Sequence, residues 1–183
     1  MNHIILKDRD DRYGSNTICK LANFILGKIT NSDIYIHSNM RYQISCIGKL
    51  SNIEENKIIQ KYIKRVRNKI QIIEFPQSDV EKEGSKLLEY SPKNSILILL
   101  DKEGENLSTD KLFELIKSYE MNNIKILNFA IGGPFGHGQF IKQKSDKIIS
   151  FGKMTWSHII ARLMLVEQIY RIESIFNNHP YHK

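Results

Sequence analysis

The stretch Ile124-Lys-Ile-Leu-Asn-Phe-Ala-Ile-Gly-Gly-Pro-Phe-Gly-His-Gly138 decides how this chain is read. Its first eight residues crowd apolar side chains with little alternation, the pattern of a strand buried on both faces of a parallel sheet. The next seven hold four glycines and a proline. Glycine tolerates positive φ and lets backbone approach a ligand closely. Ligands in an open α/β sheet sit at the carboxyl ends of strands, so a glycine loop there suits a binding site. A tight structural turn explains the same residues equally well. The spacing is not G-x-G-x-x-G, and it lacks the Lys-Ser/Thr of a phosphate loop, so a dinucleotide or nucleoside triphosphate is poorly supported.

Upstream, Ser95–Leu100 (SILILL) reads as a second buried strand. Asp101-Lys-Glu-Gly reads as a turn after it, and Ser108 as the start of a helix to Glu120. Further back, Ile44–Gly48 and Ile70–Phe75 read as strands. A helix over Ser51–Asn68 has Ser51 and Glu54 in capping-box spacing, and a second helix spans Asp79–Glu89. Downstream come a helix (Gln139–Ser145), a short strand (Lys147–Phe151), a loop (Gly152–Ser157) and a long helix (His158–Phe176). This alternation predicts an α/β fold, a mostly parallel sheet flanked by helices. Residues 1–42 form a separate β-α-β-like pattern: strand His3–Lys7, charged loop, helix Thr17–Lys28, strand Asp33–Ser38. They read as an N-terminal extension of unknown role ahead of a domain over residues 43–183.

A chain of 183 residues suits one domain with an appended piece. Cys19 and Cys46 lie far apart and in no metal-ligand spacing, as expected of reduced thiols. No apolar run approaches the ~18 residues of a membrane span. Met1–Asp11 has no secretory core and carries Asp8, Asp10 and Asp11. The chain therefore reads as cytoplasmic, with an organelle left open. The net charge of +7 suits a nucleic-acid partner, yet an AT-rich base composition also inflates lysine. Lys57, Lys61, Lys64, Arg65, Arg67 and Lys69 fit either a solvated helix end or an RNA-facing stripe.

Three further segments offer chemistry. The loop Gly152, Lys153, Met154, Thr155, Trp156, Ser157 can wall an adenine, or simply pack Met and Trp into a core. The long helix carries an apolar stripe of core or dimer type and an i,i+4 pair, Glu167 and Arg171. The tail Asn177-Asn-His-Pro-Tyr-His-Lys183 collects two imidazoles, a phenol and an ammonium. Without carboxylates or thiols this is a poor metal set, so no metal is expected. It suits RNA, where bases stack and phosphates pair with cations. No G-x-S-x-G elbow is present, against an α/β hydrolase.

Phe129–Gly138, Gly152–His158, Leu165–Arg171 and Asn178–Lys183, in that order, closely resemble the ribosomal large-subunit pseudouridine N3-methyltransferase family of the SPOUT class. Weaker likeness runs through Ile96–Thr109 to Ile44–Gly48, so it covers about residues 43–183. The pairing of the IGGP loop with a terminal HPYHK is highly specific. The resemblance implies a C-terminal deep trefoil knot and a homodimer acting on ribosomal RNA or the assembled ribosome. It implies S-adenosyl-L-methionine bound by Leu100, Gly132, Gly133 and Gly152–Ser157, with His158, Glu167, Arg171, Tyr181 and His182 at the active site. His158 or His182 is the expected proton acceptor. The alternatives are a SPOUT-like RNA-binding protein without catalysis, or a methyltransferase of another RNA such as tRNA. Two departures stand out. Phe135 replaces the acidic residue usual in bacterial members, giving a Gly-Gly-Pro-Phe-Gly-His-Gly loop closer to plant-type variants. Residues 1–40 have no counterpart in the typical chain.

Overall fold

Five strands form one parallel sheet in the order β2-β1-β4-β3-β5. They are β1 (Arg41–Ile47), β2 (Ile70–Phe75), β3 (Ile96–Asn106), β4 (Ile126–Ile131) and β5 (Lys147–Ser150). The helices between them are α1 (Ile53–Ile63), α2 (Val80–Glu89), α3 (Thr109–Met121), α4 (Gln139–Lys144) and α5 (His158–Phe176), with a final 3-10 turn at Pro180–His182. This computed structural model describes residues 40–182, the side chain of His182 excepted. The expected N-terminal strands and helix, Cys19 and Lys183 lie outside the described residues.

The apolar strand runs are buried on both faces because helices cover both. On one face Tyr42, Ile44, Cys46, Ile98, Leu127, Phe129 and Ile131 pack against Ile59 of α1, Leu112 and Ile116 of α3, and Leu165, Val166 and Ile169 of α5. On the other, Ile47, Phe75, Leu97, Leu99 and Ala130 meet Leu87 of α2 and Ile141 of α4. The larger cluster also encloses a polar trio: Tyr42 Oη and Asn68 Nδ2 donate to Glu173 Oε1 at 2.9 and 2.7 Å. Burial raises the Glu173 carboxyl despite these donors.

Several boundaries differ from the sequence reading. Asn52, not Ser51, caps α1, its Oδ1 accepting from Glu54 N at 2.9 Å. The helix ends at Ile63 rather than Asn68. Where a turn was expected at Asp101–Gly104, β3 continues to Asn106 with an irregularity between Leu100 and Glu105 along its pairing with β5. Among the described residues no helix is long and apolar enough to cross a membrane, and none of the acidic, Cys and His side chains cluster as a metal site.

Candidate active site

Gly48, Asp101, Gly132 and the loop after Ser150 lie at the carboxyl ends of β1, within β3, and after β4 and β5. The chain after β4 leads to α4 on one face, while those after its neighbours β1 and β3 lead to α1 and α3 on the other. Such a divergence opens a crevice at the end of β4, and the glycine loop fills its rim. Gly136 N donates to Gly133 O at 3.0 Å, closing a turn with the exposed Phe135 at its tip. Gly136 has φ +72°, a value that favours glycine. A Cβ on Gly132 would stand 2.6 Å from Gly136 O, and one on Gly133 would stand 2.9 Å from Glu83 Oε2. Glu83 is buried and accepts from Ser78 N at 2.8 Å.

Beneath this turn His137 is buried, and neither ring nitrogen reaches a partner at hydrogen-bonding geometry. The carbonyls of Leu100 and Ala130 and the Asp101 carboxylate favour a protonated ring only electrostatically. Lys142 Nζ holds Asp101 Oδ2 at 2.8 Å. Burial pushes the Asp101 carboxyl up, but Lys142 and the Glu103 N–H outweigh it and the net direction is down. Burial lowers the His137 pKa, so the folded chain resists a proton that the unfolded chain accepts near pH 6.5. Its stabilising contribution is present above about pH 6.5 and is lost as pH falls toward the depressed folded value, at up to about 1.4 kcal/mol per pH unit. Asp101 acts only below about pH 4, a separate window. Denaturant unfolding from neutral pH down to about pH 5 is expected to show the wild-type chain losing more stability than His137→Asn. Parallel curves would remove His137 from this role.

Gly152–Ser157 folds on itself. Ser150 Oγ donates to Gly152 O at 2.7 Å, Trp156 Nε1 to Phe151 O at 3.2 Å, and Ser157 Oγ caps α5 by accepting from Ile160 N at 3.3 Å. Gly152 has φ +99° with nothing near its missing Cβ, so conformation rather than space requires glycine. Lys153, Met154, Thr155 and Trp156 are exposed.

Along α5, Arg171 Nη2 and Nε donate to Glu167 Oε1 at 2.6 and 3.1 Å. The Tyr181 hydroxyl lies 3.1 Å from the same oxygen and 3.4 Å from Tyr62 Oη. Burial, then these two neighbours, raise the Tyr181 phenol, which keeps its proton as donor. Arg171 also lies 5.0 Å over the Tyr181 ring, and its own pKa is raised by Glu167. Gln168 continues the chain: its Nε2 donates to Glu167 Oε2 at 2.8 Å and its Oε1 accepts from Thr109 Oγ1 at 2.9 Å. Tyr62, Thr109, Glu167 and Gln168 border a cleft of about 640 Å³ whose other walls include Asn106, Ser108, Ser150 and Phe151. Its size suits a nucleoside-sized ligand.

The structure thus brings Glu167, Arg171 and Tyr181 together, next to the start of the Gly152–Ser157 loop. It does not bring His158 to them. His158 is nine residues before Glu167 on one helix, about 13.5 Å along the axis and on the opposite side. Its ring packs instead on Gly48, where a Cβ would stand 3.2 Å from Nε2. Cys46, near the buried Arg162, is no nucleophile, because burial pushes its thiol up to about 11. Leu100 lies half-buried at the crevice. Tyr62 and Glu83 were not anticipated: each occupies an ordinary position on an amphipathic helix, and only packing reveals its neighbours.

Comparison with known proteins gives the family. A family model described as "Predicted SPOUT methyltransferase" matches residues 40–182. A protein named "Ribosomal RNA large subunit methyltransferase H" from Bartonella tribocorum is 36% identical over 159 residues, covering 79% of this chain and 99% of its own. Its namesake from Acholeplasma laidlawii is 36% identical over 148 residues, with 79% and 100% covered. That from Halothermothrix orenii is 32% identical over 159 residues, with the same coverage. With a parallel five-stranded sheet, a glycine loop at its crevice and a match across nearly all described residues, the chain belongs to the SPOUT methyltransferase family.

Proposed function

We propose that this chain transfers a methyl group from S-adenosyl-L-methionine to N3 of a pseudouridine in large-subunit ribosomal RNA. The observation that carries the reading is a cleft walled by Tyr62, Glu167, Ser150 and Phe151, the last two tied to the Gly152–Ser157 loop by Ser150 Oγ donating to Gly152 O and Trp156 Nε1 donating to Phe151 O. The names of the relatives supply the RNA.

Leu100, Gly132, Gly133 and Gly152–Ser157 are the residues assigned to the cofactor. They fit it: the glycine turn leaves no room for a side chain at Gly132, and the exposed Met154 and Trp156 offer apolar walls for an adenine. The cofactor, when bound, supplies an electrophilic methyl on a sulfonium, so the protein's task is chiefly positioning. Arg171 and Lys183 are assigned to phosphate or base oxygens. Glu167 orients Arg171 and Tyr181. The N3 proton leaves to His158 or His182.

A C-terminal trefoil knot belongs to this reading, supported by the match of residues 40–182 to a SPOUT methyltransferase model. A homodimer does too, with Met154, Trp156 and Ile160 exposed beside the site. Residues 1–42 are an extension to the methyltransferase domain, and the cytoplasm or a ribosome-bearing organelle is its compartment.

Mass mapping of ribosomal RNA from cells with and without the protein tests the reading. One methyl on a large-subunit pseudouridine is expected to disappear. Loss of a methyl from tRNA instead would redirect the substrate. No heat on titration with the cofactor would leave an RNA-binding protein without catalysis. Tyr181→Phe is expected to slow transfer by roughly tenfold at unchanged cofactor affinity, since a hydrogen bond to a charged group contributes about 1.5 kcal/mol. Near-normal single-turnover rates for both His158→Ala and His182→Ala would remove histidine from the proton transfer.

A further inference from the structure

We infer that the cationic stripe running from Lys57 to Lys69 grips the phosphate backbone of the RNA substrate beside the cleft. This rests on the RNA methyltransferase reading and adds where the strand is held. Between Lys57 and Lys69 there are six Lys and Arg and no Asp or Glu. The whole chain has 27 cations and 20 anions. Removing those six leaves 21 against 20, so nearly all of the net charge of +7 sits in thirteen residues. A lysine-inflating base composition spreads its cations along the chain and does not produce this concentration. A helix dipole accounts for cations in the last turn of α1 only, and Lys69 lies six residues beyond that helix.

The geometry arranges these charges as a surface. Lys57, Lys61 and Lys64 fall at i, i+4 and i+7, one side of α1 and its continuation. With Asn56, Gln60 and Arg65 they line an open groove of about 500 Å³. All four cations are exposed. Lys57 meets Glu54 at 2.7 Å in a solvent-exposed pair, which contributes little and yields readily to a phosphate. Lys61 and Lys64 have no carboxylate partner among the described residues.

The groove adjoins the site. Tyr62, between Lys61 and Lys64 in sequence, turns to the other side of α1, lines the cleft and approaches the Tyr181 hydroxyl. The Arg65 guanidinium lies 5.9 Å over the Tyr170 ring, which itself packs 4.4 Å from Tyr181. A strand whose target base enters the cleft therefore has its neighbouring phosphates within reach of α1. The surface suits RNA better than an acidic protein, because lysine is depleted at protein interfaces and this patch is lysine-rich with Ile53 its one large apolar residue.

The test uses the full chain and a labelled stem-loop RNA, whose affinity is read across a series of salt concentrations. In the triple variant Lys57→Ala, Lys61→Ala, Lys64→Ala, the slope of log affinity against log salt is expected to shrink by about two to three, at 0.7–0.9 per lost phosphate contact. Affinity at low salt falls by roughly tenfold or more. Calorimetric binding of S-adenosyl-L-methionine stays unchanged. Lys→Arg at the same three positions keeps the slope. Removing the exposed Lys82, Lys93 and Lys125, which lie elsewhere, leaves it nearly intact. A triple variant with the wild-type slope and affinity overturns the inference. So does unchanged RNA affinity with lost co-sedimentation on intact large ribosomal subunits, which would assign the stripe to a ribosomal protein. A wild-type chain that binds RNA through the stripe yet transfers no methyl faults the enzymatic reading and leaves the stripe supported.

Discussion

Gly132→Ala is expected to fold and to lose methyl transfer by about a hundredfold or more, because a misplacement of about 1 Å in positioning groups has that effect. The added Cβ would lie 2.6 Å from Gly136 O and 2.9 Å from Gly136 C, both backbone atoms, and 3.3 Å from His137 Cε1. No rotamer relieves a clash with backbone. The turn closed by Gly136 N and Gly133 O must open, and that turn forms the rim of the crevice. The strands beneath keep their packing, since the larger core cluster lies on the sheet and its helices. Gly152→Ala makes the informative contrast. Nothing crowds that position, so only its φ of +99° resists, at a cost of about 1–3 kcal/mol. Calorimetry with the cofactor and single-turnover transfer measure both variants. A Gly132→Ala chain with normal affinity and rate would remove this turn from the cofactor assignment.

What the sequence reveals and hides follows from the range of the forces involved. The buried strands are legible because burial on both faces demands continuous apolar runs, as in Ile96–Leu100 and Ile126–Ile131. The long helix is legible in its extent, His158 to Phe176, but not in its buried face: Arg162, Leu165 and Val166 turn inward with Ile169 and Ile172, while Ile160 of the apolar stripe is exposed. Asp101-Lys-Glu-Gly has the composition of a turn and interrupts the ladder like one, since Leu100 and Glu105 both pair with Ile149 and Glu103 N donates to Asp101 Oδ1 at 3.0 Å. Pairing that resumes with β5, more than forty residues away, carries β3 on to Asn106. Ser51 and Asn52 are both good caps, and Asn52 wins by reaching the Glu54 N–H, so no Ser51–Glu54 box forms. The expected helix end at Asn68 fails because Val66 and Asn68 turn inward, the latter to Glu173. In the site, the i,i+4 spacing of Glu167 and Arg171 is readable directly. Tyr62 meets Tyr181 across 119 residues, a contact that no local pattern encodes. His158 follows the Gly152–Ser157 loop in sequence, yet the opening of α5 points it to Gly48.

Glu74→Gln is expected to destabilise the fold by about 3 kcal/mol. Arg162 on α5 is fully buried. Its Nη1 pairs with Glu74 Oε1 at 2.5 Å, its Nη2 donates to Gly48 O at 3.1 Å, and its Nε has no partner. Glu74 also accepts from Leu50 N at 2.9 Å. Burial pushes its carboxyl up, but Arg162 and the Leu50 N–H prevail and the net direction is down. The carboxylate's stabilisation is therefore present above about pH 4.3 and lost as pH falls through the depressed folded value. Glutamine preserves the shape and removes the countercharge. It leaves the buried guanidinium with neutral carbonyl acceptors only, Gly48 O and the glutamine's own oxygen, and a buried charge that loses its countercharge costs about 3–5 kcal/mol. The Glu74 side chain is 30% exposed, so water reaches that edge and the lower end of the range applies. Arg162→Met is the counter-test: it keeps much of the buried stem and leaves a carboxylate able to turn toward solvent, so its loss is expected to be smaller. Urea unfolding at neutral pH compares the two. If Glu74→Gln costs less than about 1 kcal/mol, or less than Arg162→Met, then water rather than Glu74 solvates this arginine. Because Gly48 O accepts from Arg162 while the His158 ring packs on the same glycine, the Glu74 variant also reads out whether this pair fixes the start of α5 beside the Gly152–Ser157 loop.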